Sequence, residues 1–342
     1  MPDSPPRCEE FTPMRAIVVQ KFGATPELAD VPVPAAGPGE VQVALDAAGV
    51  NPFDLKMADG ILKGKMPTDF PMILGVDGAG TVSAIGTGVT KFKIGDKVVG
   101  KFLTAPAGHG SWAQYATVPE DATLVPIPDG VTTVAAAALP VAGVTAQDLV
   151  DAAHIQPGQT VLIVGATGGV GSFLVQLANI AGAHVIATAR GDAADQVARL
   201  GAAETVDYTQ ARPADPNFVD PDPATRQDSN VTGAVRFTHP DGIDVLFDLI
   251  SAAGDFASHA TLVRRGGHAY STTWAADDAV LRDRGITGGN FESKGRSPEL
   301  SRLLSRVAAG DVVVPVQITV PLEAAPAVLG QGSARGKTVL AI

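Results

Sequence analysis

"VLIVGATGGVGSFLVQLA", residues 161–178, passes from a run of aliphatics through a glycine-broken turn into a segment with helical spacing. A strand that ends in glycines and restarts as a helix leaves main-chain N–H groups unpaired at the positive end of the helix dipole. That end suits a phosphate. Gly165, Gly168 and Gly171 divide the work: one permits the tight turn, one lets a pyrophosphate approach the backbone, and one lets helix and strand pack closely. The spacing is GxxGxxG, a variant of GxGxxG, and it gains its weight from its surroundings. As a mere connector the turn would set three helix-destabilising glycines in a row of near neighbours with no ligand or packing role to offset them. The expected contacts of the bound group are Gly165, Thr167, Gly168, Gly169, Val170 and Gly171.

Outward from the turn, residues 160–272 alternate apolar strands with helices, the pattern of a doubly wound parallel sheet. "TVLIVG", "HVIATA", "ETVDY", "DVLFDLI" and "GHAYSTT" read as strands; "VGSFLVQLANIAG" and "AADQVARLG" read as intervening helices. An Asp- and Pro-rich stretch at about 211–240, which includes "RPADPNFVDPDPATRQDSN", reads as an exposed loop insertion. Residues 14–124 instead show short β runs separated by Gly and Pro, which favours a β-rich barrel or sandwich. An Ala-rich helical segment, 131–153, follows. The tail carries a helix, "PELSRLLSRVAAG", and the strands "VVVPVQITV" and "KTVLAI". The expected layout is an α/β chain: a disordered extension over 1–13, a β-rich domain from 14–128 and 297–342, and a parallel-sheet domain over 129–296.

Composition narrows the function. The formal net charge of −11 opposes binding to nucleic acid or to an anionic membrane surface. No apolar run approaches the roughly 20 residues of a membrane-spanning helix, and "MPDSPPRCEEF" has neither the basic nor the apolar part of a signal peptide. A soluble, cytoplasmic protein is expected. One cysteine, Cys8, excludes an internal disulfide framework and metal sites built on several thiolates.

The strand after the turn, "HVIATAR", selects between the nicotinamide dinucleotides. A carboxylate at its end holds the ribose 2′-OH of NAD, whereas a cation accommodates the 2′-phosphate of NADP. Ala189 stands at the carboxylate position and Arg190 follows, which favours NADPH; nearby Asp192 either orients Arg190 or competes for the ribose. Tyr208, ending "ETVDY", is a candidate to stack near the adenosine phosphate. Ser271 and Thr272, ending "GHAYSTT", lie where open α/β sheets bind ligands.

"NPFDLKMADG" from Asn51, "PMILGVDGAGTVSAIGTGVTKFKIGDKVVG" from Pro71, "GSWAQYATVPED" from Gly110, "LPVAGVTAQDLV" from Leu139, the glycine turn and "ARGKTVLAI" at 334–342 occur in the order found in medium-chain dehydrogenases/reductases. The set resembles the zinc-independent quinone oxidoreductase branch of that superfamily. The resemblance implies a GroES-like catalytic domain built from both ends of the chain around a Rossmann domain, with the active site in the cleft between them. It implies a dimer or a tetramer, with a homodimer expected, for which "ITGGNF" at 286–291 would supply an edge strand. It also assigns Thr145 to the nicotinamide or its ribose, with a helix cap as the alternative, and Lys337 to a recurrent basic position, with a surface charge as the alternative.

Zinc alcohol dehydrogenases of the superfamily place a Cys early in the first domain and a His in a "GHE" block. Here those stretches read Asn51 to Asp54 and Gly75-Val76-Asp77, and the histidines are scattered at 109, 154, 184, 239, 259 and 268. No metal is expected. His109 is the one histidine expected near the cleft, with a surface loop as the alternative. Without a Lewis acid, hydride transfer from NADPH to a quinone or an α,β-unsaturated carbonyl fits, because the electrons end on an oxygen that hydrogen-bond donors can steady. Asn51 and Lys56 are the expected polar groups at the reacting end, and Asp54 orients Lys56 or the backbone; a solvated Asp54–Lys56 ion pair is the alternative. Tyr115 is expected in a strand, and Trp274 is a candidate pocket residue. Two other functions fit the same residues: an enoyl-thioester reductase, and a non-enzymatic NADPH-binding structural or regulatory protein.

Overall fold

The structure, a computed structural model, describes residues 12–209, 230–330 and 335–342. The expected extension up to residue 11, Cys8 within it, and the 210–229 part of the Asp/Pro-rich stretch lie outside the described residues. The chain forms two compact units. One takes the described residues up to Pro140, returns at Ile318 and closes with Thr338–Ile342; the other takes Val141 to Gln317 and ends at Lys337.

The first unit contains β1 (Pro13–Val19), β2 (Glu27–Pro32), β3 (Glu40–Val50), α1 (Pro52–Ala58), β4 (Thr68–Ile73), β5 (Asp77–Ile85), β6 (Lys97–Lys101), β7 (Ala107–His109), β8 (Tyr115–Pro119), β9 (Leu124–Pro126) and α2 (Thr133–Ala137). In β3 the side chains of Val41, Val43 and Leu45 are buried while their neighbours are less so, the period of two that a half-buried strand requires. These apolar faces pack with Val82, Val98, Phe102 and Val118 into one core. A second core surrounds the fully buried Trp112, with Ile17, Leu74 and Leu340.

The second unit contains α3 (Ala142–Ala153), β10 (Thr160–Val164), α4 (Gly169–Ile180), β11 (His184–Thr188), α5 (Ala193–Arg199), β12 (Glu204–Val206), α6 (Asn230–Thr238), β13 (Ile243–Asp248), α7 (Ala253–Ala260), β14 (Val263–Ser271), α8 (Asp278–Asp283), β15 (Thr287–Asn290) and α9 (Ser297–Ala308). Then come β16 (Val316–Pro321), α10 (Ala325–Val328) and β17 (Lys337–Ala341). β17 pairs antiparallel with β3, so the seven-stranded sheet of the first unit runs β16-β17-β3-β5-β6-β9 with β8 on β3; a four-stranded sheet runs β2-β1-β4-β7.

Every pairing in the six-stranded sheet is parallel, in the order β12-β11-β10-β13-β14-β15. Counted from β10 this is 3-2-1-4-5-6, the doubly wound order whose switch point lies between β10 and β13. Its central strands are buried on both faces, as in Thr160–Val164 and Ile243–Asp248, as expected where helices cover both sides of a parallel sheet.

Three expectations change. Pro140 divides the Ala-rich segment into α2 and α3, and α2 stays with the β-rich unit, where the Ala137 carbonyl lies so near Gly49 that a Cβ there would approach it to 2.4 Å. The boundary therefore falls at 140, beyond 128. α9 belongs to the parallel-sheet unit, which extends past 296 to Gln317. Leu300, Leu303 and Leu304 are buried there, and Arg302 pairs with Asp151 of α3. Residues 230–238 form α6 instead of an exposed loop. Val231, Ala234 and Val235, at helical spacing, pack into the sheet's core with Ile186 and Leu246. No helix among the described residues is long and apolar enough to cross a membrane.

Candidate functional site

Gly165 has φ +85°, a value an L side chain seldom adopts, and a Cβ on Gly171 would lie 2.2 Å from the Gly165 carbonyl oxygen. These two glycines therefore make the turn and its close packing. α4 opens at Gly168, its N-cap, with no side chain capping it. Its first intrahelical bond is from the Ser172 N–H to the Gly168 carbonyl. The amides of Gly169, Val170 and Gly171 precede that bond and point out of the helix start. The turn is braced from both sides: Thr188 Oγ1 accepts from Gly165 N–H at 2.9 Å, and Thr167 accepts from the Gly336 N–H at 2.8 Å. A parallel bridge between Gly168 and Gly336 brings Lys337, nearly fully buried, against Gly169, where an added Cβ would lie 2.9 Å from the lysine Cδ.

Strand registry sets Val164, Asp248, Ser271 and Asn290 side by side, so the carboxyl ends of four strands form one row next to the turn. Asp248 is fully buried; it accepts from the amides of Ile250 and Ser251 and from His259 Nδ1 at 2.8 Å. Burial opposes its ionisation, but the His259 hydrogen bond and the Ser251 amide outweigh it and hold the carboxyl below its usual range. Ser271 Oγ accepts from the amides of Thr273 and Ala275, and Thr272 Oγ1 donates to the Leu249 carbonyl. Both hydroxyls shape the loops at this row. Thr145 is half-buried within the first turn of α3; the N-cap is Val141, so the cap alternative falls away.

At the end of β11, Arg190 is exposed, and Asp192 does not orient it. Asp192 instead receives a two-pronged pair from Arg335, with both N···O distances 2.6 Å. That hydrogen bond and the guanidinium charge lower the Asp192 carboxyl's pKa and raise Arg335's, with Tyr208 contributing to the latter electrostatically. Arg335 is the residue sequence reasoning missed. It lies far along the chain from "HVIATAR", and only the Gly336 bridge carries it to the turn. Tyr208 is 43% exposed, beyond the end of β12. Trp274 is exposed with φ +65°.

In the β-rich unit, Asn51 and Asp54 sit at the start of α1. Asp54 is fully buried; its carboxylate accepts from Asn51 N–H at 2.7 Å and from Val76 N–H at 3.0 Å. Lys56 is exposed on the same helix. Asp54 is thus a positioning residue that ties the "NPFD" stretch to the "GVD" stretch through the backbone, not the partner in a solvated ion pair. Asn51, 3% exposed, donates its side-chain N–H to Asp77 Oδ2 at 2.9 Å. Ser111 Oγ donates to the Asp77 carbonyl, and Trp112 Nε1 to the Gly49 carbonyl. Gly75, at φ +98°, is indispensable here, since a Cβ would lie 2.2 Å from the Trp112 ring. Tyr115 begins β8, half-buried.

At the positions where zinc dehydrogenases carry soft ligands this cluster offers an amide and carboxylates engaged by amides, a donor set unsuited to zinc. His109 is exposed, 3.2 Å from Asp69. The expectation that the histidines are scattered fails for two of them: His184 and His239 converge on Glu204.

The profile of the alcohol dehydrogenase GroES-like domain matches residues 37–129, and that of the zinc-binding dehydrogenases matches residues 169–295. A chloroplast envelope quinone oxidoreductase homolog of Arabidopsis thaliana is 40% identical over 204 residues, 57% of this chain and 61% of that protein. The chain covers 55–61% of the length of it and two further chloroplast quinone-oxidoreductase relatives, from Triphysaria versicolor and Spinacia oleracea. Among solved structures, an NAD-dependent alcohol dehydrogenase superposes with a TM-score of 0.80 at 31% identity, covering 96% of this chain and 100% of that one. A mycobacterial protein complexed with NADPH superposes at 0.78, with 26% identity over 96% and 100% of the two chains. The chain belongs to the medium-chain dehydrogenase/reductase superfamily, in its quinone oxidoreductase-like branch.

Proposed function

We propose that the chain is an NADPH-dependent reductase that delivers hydride to a quinone or an α,β-unsaturated carbonyl without a catalytic zinc. The observation that carries this reading is the pairing of open amides at the start of α4 with two cations, Arg190 and Arg335, and no carboxylate at position 189. Amides 169–171 suit the diphosphate. Arg335, already set in a fixed fork by Asp192, and Arg190 suit a 2′-phosphate, which two guanidinium groups recognise far better than a hydroxyl. Quinone oxidoreductase relatives and an NADPH-complexed structural neighbour support the same choice; the NAD-dependent neighbour makes it one to test.

When bound, the dinucleotide supplies a hydride, and the second hydrogen of the two-electron reduction arrives as a proton from solvent. The chain's part is orientation. Asp54 and Asp77 fix Asn51, and Lys56 is left exposed to polarise the acceptor's oxygen and to relay that proton. Stopped-flow oxidation of bound NADPH by a quinone and by a 2-alkenal tests the activity. Decay with either acceptor, slowed on the order of a hundredfold in Lys56→Ala, is expected. Tight NADPH binding with no decay by any acceptor would overturn the reading in favour of a non-enzymatic role.

A further inference from the structure

At the edge of the parallel sheet where the strands begin, three residues far apart in sequence meet. His184 is the first residue of β11, Glu204 the first of β12, and His239 follows α6. His184 Nε2 lies 2.6 Å from Glu204 Oε1; His239 Nε2 lies 3.1 Å from Oε1 and 3.2 Å from Oε2. The ligand atoms of all three lie within 4.8 Å of one another. The two imidazole rings stand 5.8 Å apart at 56°, so they are tilted edges turned to one carboxylate and not a stacked pair.

From this convergence we infer that His184, Glu204 and His239 form a structural binding site for a divalent transition ion, zinc being the best match. Two imidazoles and a carboxylate are a set that zinc takes with water as the fourth ligand; calcium and magnesium prefer oxygen alone. A tetrahedral centre with bonds of about 2.0–2.1 Å separates its donors by about 3.3 Å. The His239–Glu204 distance of 3.1 Å already fits, the His184–Glu204 pair opens by roughly 0.7 Å as the ion displaces the shared proton, and the two imidazole donors start within 4.8 Å of each other. The side chains are 41%, 34% and 19% exposed for His184, Glu204 and His239, which leaves an entry path and room for water.

The backbone beneath is anchored: His184 N–H donates to Gln159, and His239 N–H to Val235. Thr188, which holds the glycine turn, lies at the opposite end of β11, four residues or about 13 Å away. The ion therefore pins β11, β12 and the end of α6, and takes no part in hydride transfer.

The test is calorimetric titration of the EDTA-treated full chain with zinc chloride, alongside Glu204→Gln, His239→Ala and the milder His239→Gln. One saturable equivalent is expected, with affinity reduced at least about tenfold in each variant and a zinc-dependent rise in Tm seen only in the unsubstituted chain. Visible absorption bands of bound cobalt give a second readout, lost in His239→Gln even where calorimetry is marred by misfolding. Absence of saturable binding, affinity unchanged by all three substitutions, or variants that lose equal stability with and without zinc would each overturn the site.

Discussion

The glycine turn and the Asn51 cluster handle backbone amides in opposite ways. At residues 165–171 the first-turn amides of α4 are left open, and nothing caps the helix. Around Asn51 the amides of residues 51 and 76 are closed by Asp54, and the Asn51 side chain is tied to Asp77. The first arrangement stores hydrogen-bonding capacity for a ligand; the second spends it to fix the geometry of a loop. Both need glycines, but for different neighbours: Gly171 makes room for the backbone of its own turn, and Gly75 for the Trp112 ring.

The comparison can be broken at several points. The largest effect is expected from Gly171→Val, which drives side-chain atoms into the Gly165 carbonyl; a loss of about 3 kcal/mol or more in urea unfolding, with dinucleotide binding abolished, would match. Asp54→Asn keeps the shape but turns an NH2 group toward a buried amide, and should cost about 1–3 kcal/mol by the same measurement. If Asp54 instead served the chemistry alone, stability would hold and only turnover would fall.

Arg335→Ala should weaken NADPH roughly tenfold while leaving NADH nearly unchanged, as read by fluorescence titration. Equal losses would remove the 2′-phosphate assignment. Asp248 sharpens the picture through pH. Its folded pKa is depressed from 3.8, so the folded form binds fewer protons than the unfolded chain. Its stabilising contribution is fully present above that ordinary value and disappears as pH falls through the lowered one. Acid unfolding of Asp248→Asn should therefore show a shallower fall in stability below about pH 4 than the unsubstituted chain. Smallest of all, Lys56→Ala should change stability by no more than about 0.5 kcal/mol, since that side chain is exposed.

Much of the parallel-sheet unit is legible in the chain because its signals are local. The run from Thr160 to Gly171 holds strand, turn and helix start within one stretch, and the apolar strands follow at regular intervals. The β-rich unit yields its strands for the same reason, through the alternation in β3. What resists reading is whatever depends on distant residues meeting. Arg335 reaches Asp192 only through a bridge to Gly168, and Glu204 gathers histidines from 20 residues before and 35 after. α6 is hidden by composition, since its Val231 and Val235 follow a stretch of Asp and Pro that masks their helical spacing. In "NPFDLK" the charges of Asp54 and Lys56 suggest a pair, and only the fold reveals that one is interior and the other exposed.

β17 joins the first unit's sheet between β16 and β3, although it is translated after the whole of the parallel-sheet unit. On the ribosome, then, the Ala47–Val50 end of β3, which β8 does not reach, must wait with that flank bare through the synthesis of nearly three hundred intervening residues, an open template for pairing with a stranger. Nascent chains stalled before residue 337 should accordingly be the species that chaperones hold longest.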